Sequence, residues 1–185
     1  MQDIYISYSP LYSITQRKRY LMKKIAVFVD VQNIYYTVKD TFGCNFNYRK
    51  LWDKLSADGE IVVANAYAID RNDPQQRGFQ KALDAIGFNV KLKPFIQRSD
   101  GSAKGDWDVG IAIDVMDSVT AIKEPIDTVV LLSGDGDFDR LLTRVSQSNK
   151  VETVIYGVEA LTAKSLIDAA DIFEPIDENL LLKNK

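Results

Sequence analysis

Aspartates follow two apolar runs of the sequence. Such runs predict strands, and the ends of strands are positions at which functional groups lie. Asp30 ends the run that begins at Ile25, and Asp135 and Asp137 follow the run that ends at Leu132. In open α/β sheets, ligands bind beyond the carboxyl ends of strands, at the point where the strand order reverses. If the two runs are neighbouring strands, their acids face one another at that edge. The spacing therefore predicts a cluster of carboxylates.

A further acid comes from the helix predicted over 107–122. At ~100° per residue, one side of this helix carries an apolar stripe that contains Asp108 near its N-terminal end, whereas Asp106 projects to nearly the opposite side. An acid that continues a core-facing stripe is costly to bury unless it is paired or bound to metal, so Asp108 is predicted to join the cluster. The stripe consists of Ile111, Ala112, Val115, Val119 and Ile122.

Clustered carboxylates repel one another, and protonation or a divalent cation must relieve that repulsion. Ligand sets made only of oxygen favour Mg²⁺ or Mn²⁺ over zinc or copper. Such a cation lowers the pKa of a bound water and neutralises charge on a leaving oxygen, which is the chemistry of phosphodiester hydrolysis. The candidate metal ligands and catalytic residues are Asp30, Asp108, Asp135 and Asp137.

Each acid also has a structural interpretation. Aspartate between a strand and a helix commonly caps the helix, which applies to Asp135 and Asp137. An acid in the first turn of a helix favours the helix dipole, which applies to Asp108. Asp30 is harder to explain as a cap, because Asn33 is placed to cap the helix predicted over 33–39.

Candidate substrate-binding residues surround the acids. Lys104 lies four residues before Asp108, where it can guide a phosphate backbone towards them. Asn33 and Ser133 are candidates for substrate binding and equally for turn formation. Lys91, Lys93 and Arg98 could also guide phosphate, although single lysines usually only solubilise. Aromatic residues that could stack on bases, with core packing as the more common role, are Tyr35, Tyr36, Phe42 and Phe46.

The composition restricts the chemistry further. The chain of 185 residues has no histidine, and Cys44 is its only cysteine. These absences exclude Ser-His triads, cysteine-rich zinc sites and internal disulfides, so any hydrolysis must depend on carboxylates, hydroxyls, lysine or metal. The net charge of −3 argues against a protein that coats nucleic acid through charge alone. A single cysteine suits a reducing cytosol, so a cytoplasmic location is expected.

The elements that must position the acids alternate along the chain. This alternation predicts an α/β fold with a three-layer, doubly wound parallel sheet, in which Pro94 marks an edge strand. The polar segment 97–106 is predicted to be a loop. Apolar runs predict strands over 25–29, 61–67, 88–95, 128–132 and 153–156, and helical patterns predict helices over 33–39, 48–55, 73–86, 107–122, 138–148 and 163–170.

One domain over 23–176 is predicted, between an N-terminal extension at 1–22 and a C-terminal tail at 177–185. The extension is basic at its end rather than its start, unlike a signal peptide. No apolar run approaches the ~20 residues that a bilayer span requires, so no membrane contact is expected. A homodimer is an expectation for which no residue pattern is identified.

Several motifs, in order, carry a family resemblance. The first motif, at 28–33, is an apolar strand that ends in Asp, with Asn three residues further on. The second, at 104–109, reads Lys-Gly-x-x-Asp and is followed by Asp114, and the third, at 133–138, reads Ser-Gly-Asp-x-Asp-Phe. A closing pattern is matched by 165–166 together with 170–173. The chain thereby resembles the NYN domain, LabA-like subgroup, of the PIN-like nuclease superfamily, over about residues 24–174.

The resemblance implies a PIN-like sheet in strand order 3-2-1-4-5 and metal-dependent cleavage of RNA. It implies site roles for the four aspartates, supported by Asn33 and Ser133. Asp114 matches a family position, but helical geometry places it away from Asp108, so a structural role is expected.

Two other functions stay open. A regulatory NYN module would bind RNA or a protein partner through the same acidic pocket without turnover. A phosphoacceptor or phosphatase pocket is less favoured, because receiver-like pockets need a lysine after a late strand, where 154–157 has none. Dehalogenase-type phosphatases need Asp-x-Asp after the first strand, where Val31 and Gln32 follow Asp30.

Overall fold

The computed structural model describes residues 22–70, 73–94, 96–97, 103–104, 106–121 and 125–182. Within these residues the strands are β1 Lys23–Asp30, β2 Gly59–Asp70, β3 Asn89–Pro94, β4 Ile96–Gln97, β5 Ala103–Lys104, β6 Thr128–Leu132, β7 Glu152–Gly157 and β8 Ile172–Pro175. The helices are α1 Val31–Phe42, α2 Tyr48–Asp58, α3 Pro74–Ile86, α4 Asp108–Thr120, α5 Asp139–Asn149 and α6 Lys164–Ala169.

Parallel strands form the central sheet in the order β3-β2-β1-β6-β7-β8 across the described chain. The predicted order 3-2-1-4-5 is confirmed, and β8 adds a further strand at the far edge. The chain passes from one half of the sheet to the other between β1 and β6, which is where the strand order reverses. Ligands of such sheets bind beyond the carboxyl ends of these two strands.

The core lies on both faces of the sheet. In β1, Val27 and Val29 face the helices α1 to α3, whereas Ala26 and Phe28 face α4 to α6, and all four side chains are fully buried. Successive side chains of a strand point to opposite faces, so a strand covered on both sides reads as a continuous apolar run. This burial holds the carboxyl end of β1 at a defined height in the sheet.

Two segments differ from their predicted structure. The segment predicted as a loop over 97–106 contains part of a short antiparallel ladder, in which Ile96 pairs with Lys104 and Gln97 with Ala103. The predicted C-terminal tail packs on the domain as far as it is described. Leu180 and Leu181 are buried there, and the N–H of Asn47 donates to the carbonyl of Leu180 over 2.7 Å. The predicted extension at 1–22 lies outside the described residues except for Met22.

None of the helices in the described ranges has the length and apolarity needed to cross a bilayer.

The turn after α3 needs glycine for two separate reasons. Gly87 has a φ of 128°, and a Cβ added to it would lie 2.5 Å from the ring of Trp52 in α2. Gly43, which ends α1, has a φ of 67° but open space around the corresponding position. Both glycines thus have a positive φ, but only at Gly87 would an added Cβ also overlap a neighbouring side chain.

We expect Gly87→Ala to lower the free energy of unfolding by about 2–4 kcal/mol, because strain and overpacking add. Gly43→Ala is the matched control and should cost only about 1–2 kcal/mol, since it introduces strain alone. Urea denaturation of the two variants measures the difference. Equal losses would show that the contact with Trp52 is not tight.

Candidate metal centre

Three carboxylates from two places in the chain meet at the carboxyl edge of the sheet. Within the described residues, one oxygen each of Asp108, Asp135 and Asp137 lies within 4.8 Å of the others. Two oxygens on one Mg²⁺ at about 2.1 Å lie no more than about 4.2 Å apart, so this spacing is close to what one cation requires. Asp108 and Asp135 are partly buried and Asp137 is exposed, so the group is open to solvent on one side.

The neighbouring strands β1 and β6 set the height of this group. Val29 pairs with Leu132, so Asp30 and Ser133 follow at the same level of the sheet. Asp135 and Asp137 come directly after that level, and Asp108 reaches it as the first residue of α4. Asp108 therefore lies next to Asp135 and Asp137 although it is distant from them in the sequence.

Backbone hydrogen bonds hold the turn that carries Asp135. The N–H of Gly134 donates to Asn33 Oδ1 over 2.8 Å, which ties α1 to the end of β6. Within the turn, the N–H of Asp135 donates to Ser133 Oγ over 3.2 Å, and the N–H of Asp137 donates to Asp135 Oδ1 over 3.0 Å. Ser133 is fully buried, and its hydroxyl contacts the Asp30 carboxylate as well as this turn.

Asp30 caps α1, which corrects the expectation that Asn33 would do so. The N–H of Asn33 donates to Asp30 Oδ1 over 3.1 Å, while the side chain of Asn33 serves Gly134 instead. Burial raises the pKa of Asp30, the Asn33 N–H opposes the rise, and the charge of Asp135 adds to it. Asp30 thus lies beside the three clustered acids, within reach of their charge, but it is not among the oxygens that share their close spacing.

Burial and, after it, neighbouring acids disfavour the charged form of Asp108. Burial raises its pKa to about 6, and the charges of Asp135, Asp106, Asp30 and Asp137 contribute in that order. A carboxylate in this environment gains stability from a proton or from a cation. The site fits a hard divalent cation for two reasons. A cation would stabilise the charged form of Asp108, and the donors are oxygens only, in a chain without histidine.

Trp107 and Lys93 position the start of α4. Trp107 was not predicted as a site residue, and Lys93 was named only as a possible phosphate guide. Trp107 Nε1 donates to the carbonyl of Ala68 at the end of β2 over 2.9 Å. Lys93 Nζ donates to the carbonyl of Asp106 over 2.8 Å and lies 4.6 Å from the centroid of the Trp107 ring. These contacts fix the residues on the N-terminal side of Asp108. The position of Trp107 next to Asp108 is the sequence signal for the positioning role of Trp107.

Asp114 has a structural role, as helical geometry predicts. Its Oδ2 lies 2.6 Å from Lys91 Nζ and accepts a hydrogen bond from the Tyr67 hydroxyl, also over 2.6 Å. These bonds join α4 to β2 and β3. Lys91 is therefore paired with Asp114, and it does not extend towards the clustered acids as a phosphate guide.

The backbone of Lys104 is part of β5, but the prediction about its side chain falls outside the described side chains, as does the whole of Arg98.

Fold and site together define an α/β domain with an acidic centre at its strand reversal, and the family is shown by comparison. The NYN domain family matches residues 24–177, so the chain belongs to the NYN domain family. The predicted LabA-like resemblance is confirmed. Low amplitude and bright protein LabA of Synechococcus elongatus is 30% identical over 163 residues, which cover 84% of each chain.

A solved relative supports the fold. A crystal structure of a protein of unknown function from Vibrio parahaemolyticus is 48% identical to this chain and superimposes with a TM-score of 0.80. The match covers 87% of this chain and 97% of the other. The α/β sheet is thus common to both proteins.

We expect Asp108→Asn to change how the stability of the metal-free protein depends on pH. The folded pKa is about 6 against an ordinary value of 3.8, so the favourable contribution of the protonated group is complete at low pH and is lost as the pH rises through about 6. Asparagine does not ionise, so the variant should gain stability relative to the unaltered protein between about pH 4 and pH 7. Thermal melting in EDTA measures this gain.

The matched control is Asp117→Asn, which alters an exposed acid on the same helix. The gain of Asp108→Asn should exceed any change in this control over the same pH range. No gain for Asp108→Asn beyond that of the control would contradict the raised pKa of Asp108.

Proposed function

We propose that this protein is a metal-dependent ribonuclease that hydrolyses RNA phosphodiester bonds with Mg²⁺ or Mn²⁺. The observation that carries the proposal is the convergence of Asp108, Asp135 and Asp137 within 4.8 Å at the strand reversal. Membership of the NYN domain family, which resembles PIN-like nucleases, supports nucleic acid as the substrate. The exposure of Asp137 suits a polymer, since an open site admits a phosphate within a long chain.

The residues divide the work between binding and positioning. Asp108, Asp135 and Asp137 would hold a divalent cation, which when bound supplies positive charge to the scissile phosphate and lowers the pKa of water. Asp30 adds a further negative charge beside them and strengthens the attraction for the cation. Asn33 and Ser133 keep the turn after β6 in place, so the acids need little rearrangement when a cation binds.

The first test is cleavage of a labelled single-stranded RNA with added Mg²⁺ or Mn²⁺. Asp108→Asn and Asp135→Asn should each lower the rate by about 100-fold or more, because each removes a charged ligand worth several kcal/mol at the transition state. Asp117→Asn is the matched control and should cleave normally. Activity that survives both site variants would exclude these acids as the catalytic centre.

The same assay separates the regulatory alternative. A non-catalytic NYN module would bind RNA in a metal-dependent manner and release no product at any metal concentration. That result would overturn the proposed hydrolysis while leaving the metal centre in place.

Asp30 allows a test that separates capping from catalysis. Asparagine caps helices about as well as aspartate and does not ionise, so Asp30→Asn should fold with a melting temperature equal to or above that of the unaltered protein. It removes one charge from the site, and we expect cleavage to fall by about tenfold or more. Full activity in a folded Asp30→Asn variant would show that Asp30 serves only as the cap of α1.

A further inference from the structure

A pocket of about 500 Å³ opens at the carboxyl end of β2. It lies between the start of α1, the end of β2 and the start of α3. Ala68 and Ile69 of β2 line it, and Tyr35, Tyr36 and Phe79 contribute aromatic rings from the two helices. This is the same edge of the sheet on which the acids lie. The pocket volume is within the range of small-molecule sites and is large enough for a nucleobase.

The aromatic rings of this pocket are unusually exposed. Tyr35 and Tyr36 are 51% and 53% exposed, whereas Phe46 and Tyr48 on the inner wall are 4% and 7% exposed. The two outer rings meet edge to face with centroids 5.3 Å apart, so their faces are not stacked on each other. An exposed aromatic ring such as that of Tyr35, in a concave site, is suited to stack on a planar ligand.

Polar groups surround these rings. Gln32, Asn45 and Gln75 line the pocket with side-chain amides, which can donate to and accept from the edge of a base. Of the charged residues that line it, Lys39 donates from Nζ to the carbonyl of Gly43 over 3.2 Å, and Asp73 accepts from the N–H of Gln75 over 2.8 Å as the cap of α3. Aromatic faces and amide edges together match an unpaired nucleobase.

Two connections join the pocket to the acids. Val31 and Gln32 line the pocket and directly follow Asp30. On the other side, the carbonyl of Ala68 accepts the hydrogen bond from Trp107, the residue before Asp108. The ends of β2 and β1 are neighbours in the sheet, and paired strands lie ~4.8 Å apart. The pocket and the acids are therefore continuous along one edge of the sheet.

We infer that this pocket binds an unpaired base of an RNA strand whose adjoining phosphate lies at the acidic centre. The inference rests on the proposed ribonuclease function and adds a base-binding subsite to it. A base held in a duplex presents only its edge, so it cannot place its face against Tyr35. Duplex RNA should therefore bind poorly at this site.

Binding is measured apart from cleavage by fluorescence anisotropy in an Asp135→Asn background, with a short labelled single-stranded oligoribonucleotide as probe. Tyr35→Leu should weaken binding by roughly 5- to 100-fold, the range expected for the loss of one base–aromatic stack. Tyr35→Phe keeps the ring and should bind like the parent. Ile113→Ala, which alters an exposed residue of α4 outside the pocket, is the control.

A probe with one abasic position identifies the contact itself. The abasic position is moved along the probe. At one position the parent should lose affinity, whereas the Tyr35→Leu variant should bind the abasic probe as well as it binds the intact probe, because both changes remove the same stack. Equal losses in the two proteins at every position would overturn the inference. So would unchanged binding by Tyr35→Leu, or a change in its oligomeric state without any effect on RNA.

The two proposals fail separately. Cleavage that needs Asp108 and Asp135 but is indifferent to Tyr35 would leave the ribonuclease and remove the base pocket. Stacking that depends on Tyr35 without cleavage at any metal concentration would keep the base pocket and remove the ribonuclease.

Discussion

The site depends on carboxylates that repel one another and are held close together by backbone hydrogen bonds. Asp108, Asp135 and Asp137 would move apart in a flexible segment. Here two buried neighbouring strands and the bond from the Gly134 N–H to Asn33 Oδ1 keep them together. Burial first, and the neighbouring acids second, raise the pKa of Asp108, so the charged form of this carboxyl is disfavoured until a proton or a cation binds. Binding of a cation would relieve the repulsion without rebuilding the turn.

The fold was largely predictable because its central strands are buried on both faces. A run such as 25–29 has to be a covered strand, and acids directly after such runs have to lie at the sheet edge. Asp108 was predictable because its position on the helix continues an apolar stripe. By contrast, β8 spans only Ile172–Pro175 at the edge of the sheet, and so short a partly covered segment has little pattern to detect.

Contacts between distant residues account for what the sequence could not predict. Both Asp30 and Asn33 are good capping residues, and the choice between them depends on Gly134, which is 101 positions from Asn33. The pairing of Lys91 with Asp114 likewise requires β3 and α4 to be adjacent. Lys91 and Lys93 look like phosphate guides in the sequence. In the structure, their side chains belong to the frame that positions the acids.

Diffraction from a crystal soaked in Mn²⁺, with anomalous data collected, tests the central claim most directly. The account predicts a single strong anomalous peak between Asp108, Asp135 and Asp137, at about 2.2 Å from one oxygen of each. Absence of a peak there at a saturating Mn²⁺ concentration, with the three side chains in their present positions, would contradict it.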